Sequence, residues 1–333
     1  MVEAKNKWKA WVYLAPALIL LAVFTVYPLI KTFIMCFLEG YDPLDVEADF
    51  SFGFGNFSKV ISYVGFKNCM KNTLLLCVLT VPISCGLALL IAVFLNSIPK
   101  FSRFFQTIYF LPYVTNSIAI GMVFMTMFNI IGLQPANDYS GDLTIYHIKV
   151  VGDETSTREP YVAQSWGIIN NFLQVFGLNP IDWVNQRSTY AANITVMVIY
   201  IVWNALPFKI LILLGGLQSV NKQYYDAAKI DGASRSTIFF RITVPLLSPM
   251  IAYVVITGFI GGFKEYSSIV GVFGDTMGPT GDSKRLNTMV GFIYDALTNT
   301  QYGTASAASL ILFGIILVVT LLNLYVSNKK VHY

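Results

Sequence analysis

Tyr200, Asn204 and Phe208 fall at i, i+4 and i+8, so a helix through them would carry all three in one stripe, with Trp203 beside it. Further along the chain, Lys264, Glu265 and Tyr266 follow the glycine pair Gly261-Gly262 and Phe263. Aromatic faces, an amide and a carboxylate can together hold a ligand that is apolar on one side and rich in hydrogen-bonding groups on another. Both groups lie within or beside long apolar runs. A polar side chain at such a place is costly, and it marks a solute pathway when it faces the interior of a bundle. The glycine pair would loosen its helix and let the neighbouring charges line a cavity. A second reading leaves these residues as helix-packing side chains, with Lys264 and Glu265 at the outer interface. No nucleophile stands beside a base. His147 and His332 are isolated, and no metal-ligand spacing is present. Catalysis by this chain is therefore not expected.

The elements that must position these residues are membrane spans. The 333 residues are 55% hydrophobic, 15% aromatic and only 12% charged, too apolar for an ordinary soluble domain. Six apolar runs approach the ~20 residues that cross a bilayer core: Trp11–Phe37, Thr73–Leu95, Ile108–Ile130, Asn193–Gly216, Pro245–Phe263 and Ala305–Val326. The first is too long for a cleaved signal peptide and lacks a small-x-small site after it. Placing the N-terminus, the 96–105 and 217–244 loops and the C-terminus on one side gives that side 11 Lys/Arg against three acids. The other side then has nine basic residues against 15 acids. By the positive-inside rule both termini are cytoplasmic, and the net charge of +4 reflects topology rather than affinity for nucleic acid. The expected architecture is an all-α, multi-pass protein of the cell membrane, with residues 1–10 as a cytoplasmic N-terminus. Lys209 reads as a snorkelling residue in the cytoplasmic third of its span. The four cysteines, at 36, 69, 77 and 85, read as free buried thiols.

Outer segments are uneven. Residues 39–70 hold an acidic patch (Glu39, Asp42, Asp45, Glu47, Asp49), then the turn-rich SFGFGNFS. An insertion at about 132–165 has β-like alternation around Leu143, Ile145 and His147. It is followed by a helical pattern at 168, 169, 172, 173 and 176 that predicts an amphipathic helix on the outer face, ended by Pro180 and Asp182. Residues 267–304 carry the turn formers DTMGPTGD. The small residues Ala305 to Ala308 suit close helix contact.

The 217–244 loop is a different kind of connection. Lys222 and Asp226 can pair at i, i+4, and so can Asp231 and Arg235 across a break. Ala227 and Ala228 keep one face small. Gly232 can turn left-handed, and Ser234 can cap a second helix whose Ile238, Phe239 and Ile242 enter the membrane interface. Pro245 opens the fifth span, where a missing N–H does least harm. The result is a polar elbow between apolar runs, built to touch something outside the bilayer.

On these residues the sequence resembles the permease subunits of binding-protein-dependent ABC importers. Their loop pattern E-A-A, three residues, G, nine residues, I-x-L-P is matched by Asp226-Ala227-Ala228, Gly232, Ile242 and Pro245, with Asp for Glu and Val244 for Leu. Tyr225, Asp231, Ala233, Phe239 or Phe240, Pro245 and Pro249 are similar to the carbohydrate branch typified by maltose permeases. The likeness extends to Tyr27-Pro28, Leu111-Pro112, Trp203, Pro207, Gly216-Leu217-Gln218, Gly278-Pro279, Tyr294 and Tyr302-Gly303-x-Ala305-Ser306-Ala307. The 132–165 insertion is longer than in simple six-span members.

The resemblance implies a type I importer permease fold over residues 11–333 and a coupling loop at 217–244 seated on a dimer of ABC ATPases. It also implies a second, related permease, an extracytoplasmic solute-binding protein and a carbohydrate cargo, whose apolar faces and hydroxyls suit the aromatic and polar residues above. The chain itself has no G-x-x-x-x-G-K-[ST], so it binds no cofactor, and ATP and Mg belong to the partner ATPase. The alternatives are a permease for a non-sugar solute, or a secondary transporter or channel acting without an ATPase. The latter predicts an inverted repeat that is not visible. An intramembrane enzyme would need a reactive cluster at bilayer depth.

Overall fold

The computed structural model describes residues 7–41, 50–98, 104, 107–109, 111, 113–138, 141, 146–147 and 160–330. Among these, four helical stretches are long and apolar enough to cross a membrane: Trp11–Met35, Phe66–Ser97, Tyr190–Ser219 and Tyr302–Ser327. A fifth is formed by Arg235–Leu246 and Ser248–Phe263 if this pair, bent by 68°, counts as one span. The run expected at Ile108–Ile130 is interrupted. The side chain of Asn116 accepts from the N–H groups of Ile118 and Ala119, so the helix there begins at Ser117 and ends at Phe128. At 12 residues it is too short to span alone. Pro112 lies outside the described residues.

The chain divides into two compact units, residues 1–66 with 289–315, and residues 67–288 with 316–333. In the first unit, helices α1 (Lys7–Leu21) and α2 (Tyr27–Met35) are joined through a π-helical turn at Ala22–Val26. A short hairpin, β1 (Leu38–Glu39) and β2 (Ser51–Phe52), leads to α3 (Gly55–Ser62). The SFGFGNFS segment closes on itself: Phe37 packs on Phe52, Phe54 and Phe57 with ring centroids 5.4–5.5 Å apart. Asn56 donates to the carbonyls of Cys36 and Leu38, and Glu39 accepts from Gly55 N–H at 2.6 Å. The acidic residues 42–49 lie outside the described residues.

The second unit begins with α4 (Phe66–Ser97) and α5 (Ser117–Phe128). The insertion then forms a three-stranded antiparallel sheet from β3 (Gln134–Pro135), β4 (Tyr146–His147) and β5 (Pro160–Val162), with β5 in the centre. His147 is in a strand as its alternation suggested, while Leu143 and Ile145 lie outside the described residues. The expected amphipathic helix is α6 (Gly167–Val175). It stops before Pro180 because Gly177, at φ +72, turns the chain left-handed, and Leu178 N–H returns to the Leu173 carbonyl. Next come α7 (Tyr190–Ser219), α8 (Lys222–Ile230), α9 (Arg235–Ile238), α10 (Val244–Leu246), α11 (Ser248–Phe263) and α12 (Ser267–Phe273). Helices α13 (Met289–Thr298) and α14 (Tyr302–Lys330) complete the chain. The stretch 267–304 is thus largely helical, with its turn formers confined to a segment where Met277 and Gly281 adopt positive φ.

Packing in the second unit centres on α7. Val196, Met197 and Tyr200 are inaccessible to solvent and meet Phe124 and Phe128 of α5 and Ile269 and Val272 of α12. Helices α5 and α12 touch backbone to backbone. A methyl group on Gly121 would come within 2.5 Å of the Gly271 main chain, so only glycine fits. The four cysteines are free and buried, as expected. Cys77 and Cys85 point the same way, toward the Phe259 and Val254 carbonyls of α11.

Gly121→Val therefore forces α5 off α12, where overpacking costs ~1–3 kcal/mol or more. The expected outcome is a clear drop in thermal unfolding temperature of the detergent-purified protein. Gly86→Ala on α4, where the added methyl meets nothing within 4 Å, should leave that temperature unchanged or slightly higher. Equal behaviour of the two variants would refute the close contact.

Candidate functional site

Helices α4, α7 and α11 enclose a cavity of about 460 Å³. Its wall carries hydroxyls from three directions: Thr80 and Ser84 of α4, Thr115 and Ser117 before and at the start of α5, and Thr257 of α11. Helix α7 contributes Asn204, Phe208 and Lys209, and α11 contributes Gly258, Gly261 and Gly262, with Glu265 just beyond its end. Repeats at i and i+4 bring Thr80 with Ser84, and Gly258 with Gly262, onto common helix faces. Phe208 is stacked with Tyr113, ring centroids 6.2 Å apart and planes 15° from parallel. An aromatic platform thus stands beside an amide and a row of hydroxyls.

The seven residues of the predicted pathway separate. Asn204, Phe208 and Glu265 reach the cavity together. Tyr200 does not. It is 0% exposed, its hydroxyl donates to the Ser117 carbonyl, and its ring lies 4.8 Å from Phe124. Four residues turn a helix through 400°, so an i, i+4, i+8 stripe drifts by about 80° along its length. Tyr200 has rotated into the core by the level at which Phe208 faces the cavity. Trp203 lines a neighbouring, nearly apolar cavity of about 350 Å³ with Pro207 and Leu111. Lys264 is exposed, and Tyr266 packs against the core cluster. Helix α11 also stays intact through Gly261-Gly262, so the glycines do not loosen it. Gly262 permits close approach: a methyl group there would sit 2.9 Å from the Cys77 sulfur, whereas one on Gly261 would meet nothing within 4 Å.

Lys209 overturns the snorkelling expectation. It is 5% exposed, and its ammonium donates to Ser84 Oγ at the cavity wall instead of running out to an interface. Sequence spacing missed Ser84, Thr80, Tyr113 and Thr257 as its neighbours. The available signal was a set of hydroxyls and glycines recurring at i, i+4 within otherwise apolar helices.

At the far end of α7 the elbow has the expected local chemistry. Asn221 caps α8 by accepting from Gln223 N–H, and Ser234 caps α9 by accepting from Thr237 N–H at 3.1 Å. Gly232 takes φ +72, with Gly232 N–H bonded to the Lys229 carbonyl and Ala233 N–H to the Ala228 carbonyl. This is the left-handed helix ending that glycine favours. Two details differ. Asp226 pairs with Lys229 at 3.3 Å rather than with Lys222, and no ion pair joins Asp231 to Arg235 among the described residues. Ala227 is exposed but Ala228 is buried, since adjacent helical residues point about 100° apart. The outward surface is instead Tyr224, Asp226, Ala227 and Ile230, the last 87% exposed. The Tyr225 hydroxyl is buried without a hydrogen-bond partner among the described residues. Pro245 and Pro249 start α10 and α11, on the two sides of the bend at Leu247.

The family described as "Binding-protein-dependent transport system inner membrane component" matches residues 84–332. The chain is 31% identical over 330 residues to the arabinooligosaccharides transport system permease protein AraP of Bacillus subtilis, spanning 97% of this chain and 90% of that protein. It is 27% identical over 326 residues to the lactose transport system permease protein LacF of Rhizobium radiobacter, spanning 96% and 94%. Among solved structures, a chain of a bacterial alginate ABC transporter in complex with alginate pentasaccharide-bound periplasmic protein superposes with a TM-score of 0.73. That match has 22% identity and covers 99% of this chain and 98% of that one. This last likeness supports the fold.

Tyr200 and Asn204 should separate in experiment. Tyr200→Phe removes a core hydrogen bond and should lower stability by ~1–3 kcal/mol, with little change in the concentration dependence of transport. Asn204→Ala removes an amide that has no partner within the chain among the described residues. It should raise the half-saturating solute concentration severalfold while leaving the unfolding temperature in place. The reverse pattern would remove Asn204 from the site.

Proposed function

The chain belongs to the family of binding-protein-dependent transport system inner membrane components, and from that premise we propose that it is the membrane-spanning half of an importer for a carbohydrate, an oligosaccharide in particular. The elbow carries this reading. A capped helix, a left-handed glycine and a second capped helix hold Tyr224 and Ile230 outward, and such exposed apolar side chains on a polar loop suit a protein partner. That partner is a dimer of ABC ATPases on the cytoplasmic side, which uses ATP and Mg. Tyr225, Asp226, Ala227, Ala228, Asp231, Gly232, Ala233 and Pro245 form or brace the contact. The topology that goes with it has six spans and both termini cytoplasmic, with Ile108–Ile130 as the third span.

A second, related permease completes the pathway, and an extracytoplasmic solute-binding protein delivers the cargo, with the 132–165 insertion at its docking face. The cavity suits a sugar because Phe208 and Tyr113 offer a flat apolar surface while Asn204 and the hydroxyls meet the sugar's own hydroxyls. Similarity to arabinooligosaccharide and lactose permeases supports the same cargo class.

The test is ATP-driven uptake of labelled pentose and hexose oligosaccharides by the complex reconstituted with its ATPases, second permease and binding protein. Gly232→Val places a β-branched residue in a left-handed conformation, which costs ~1–2 kcal/mol. Uptake should fall by about tenfold while the variant still reaches the membrane. Uptake that persists without ATP, or that is untouched by Gly232→Val, sinks the importer reading.

A further inference from the structure

Lys209 sits inside a 30-residue apolar helix, and its ammonium is buried at the cavity wall. It donates to the Ser84 hydroxyl, which itself leans back on the Thr80 and Val81 carbonyls of α4, and the Cys85 thiol lies within hydrogen-bonding reach. An ammonium has three N–H donors and no acceptor, so two neutral partners leave its charge uncompensated. No carboxylate lies within 4 Å of Nζ among the described residues. Room for the group is provided: a methyl on Gly258 of α11 would come within 3.1 Å of Nζ. Cys77 and Cys85, the neighbouring thiols, face α11 carbonyls and supply no negative charge.

Glu265 is the acidic member of the same cavity, and it does not neutralise Lys209. Gly258, beside the ammonium, lies five residues, about 7–8 Å of helical rise, before the end of α11 at Phe263, and Glu265 follows beyond that end. The Glu265 carboxylate is engaged by Ser268 N–H at 3.3 Å, at the start of α12. One charge is therefore held by its own backbone, while the other faces the cavity uncompensated. Burying such a charge is favourable only when an anion or several acceptors arrive to meet it.

Resting on the carbohydrate-importer reading above, we propose that Lys209 is a specificity-determining residue that favours cargo bearing a carboxylate, that is, an oligosaccharide containing uronic acid. The sugar's carboxylate pairs with Nζ beside Ser84. Asn204 hydrogen-bonds the hydroxyls of the same residue or the next, and the Phe208–Tyr113 platform carries the ring face. Glu265 repels a second carboxylate at the outer end of the cavity, which favours a single acidic group at the level of Lys209.

The experiment compares an aldotriouronic acid, a trisaccharide (trimer) with a single uronic-acid residue, with its carboxyl-reduced, neutral counterpart. Equilibrium binding is measured to the complete importer in lipid nanodiscs, with the binding protein omitted so that its own selectivity does not intervene. The wild-type complex should bind the acidic trimer at least about thirtyfold more tightly. Lys209→Met should bring the two ligands within about threefold of each other, and Lys209→Arg should keep the preference. Ser84→Asp supplies an internal counter-ion, so it should abolish the preference even if Lys209→Met fails to assemble. Equal affinities in the wild type, binding of neither trimer, or a preference that survives Ser84→Asp overturns the proposal. So does release of the second permease by Lys209→Met with the preference intact, which would assign the counter-ion to that subunit. ATP-driven uptake of neutral oligosaccharides, scored separately, reports on the importer reading itself, and its persistence alongside equal affinities would overturn the charge preference alone.

Discussion

The hydrocarbon core of a membrane offers no hydrogen-bond partner, and the rest of this structure follows from that constraint. Every backbone N–H and C=O at bilayer depth must be satisfied within the chain, which selects helices. The same demand reaches the side chains that apolar helices carry. Thr73, Thr195, Thr257 and Ser309 each return their hydroxyl to the carbonyl four residues back, at 2.7–2.9 Å. Asn72 of α4 bonds the Arg285 and Asn287 carbonyls and accepts from Tyr190. Asn193 of α7 donates to the Trp183 carbonyl and Ser188 Oγ and accepts from the Arg285 guanidinium at 3.3 Å. These amides stitch α4 and α7 to the extended chain before α13, where apolar packing alone would not fix the register.

Against that background of satisfied groups, those left over define the site. Asn204 has no partner among the described residues, and Lys209 has only neutral partners, Ser84 and Cys85, for a full charge. Both open on a single cavity, whose wall also carries the glycines at 258, 261 and 262. Tyr200 makes the contrast plain. It is as polar as Asn204 and one helical turn away, yet its hydroxyl is committed to Ser117 and it stabilises the core. Polarity inside an apolar helix is therefore a weaker guide to function than polarity without a partner.

That distinction explains what could be read in the sequence. Length and apolarity revealed four spans outright, and the elbow was legible nearly residue by residue. Its Gly232 and Ser234 act through their own backbone neighbourhood, so local chemistry suffices. The third span was not legible as drawn: the Asn116 cap interrupts the apolar run, and the helix-opening types at Thr115-Asn116-Ser117 were the signal for it. The bend at Leu247 was likewise hidden, although Pro245 and Pro249 bracket it. In the cavity, Asn204, Phe208 and Glu265 were found by helical spacing. Lys209 was misjudged because spacing cannot tell a lysine that reaches outward from one held by a serine 125 positions away. Tertiary pairing decides that, and periodicity within one helix does not contain it.

Covalent continuity ties the elbow to the cavity. Helix α7 carries Asn204, Phe208 and Lys209 and runs on without a break to Ser219, at the threshold of α8. From Lys209 to Ser219 is ten residues, about 15 Å of rigid helix. On the return path, the elbow enters α11 through the 68° bend at Leu247, and nine residues after Ser248, about 14 Å, lies Thr257 at the cavity wall. Leu247 is itself buried and Gly216 of α7 lies against it, a methyl there meeting Leu247 and Met250 at 2.8–3.0 Å. The two helices are thus clamped to each other just above the elbow and diverge around the cavity beyond it. Capped helices lead away from Tyr224 and Ile230 on both sides of the elbow. From the Gly216–Leu247 contact, α7 and α11 run on to the cavity walls that carry Lys209 and Gly258.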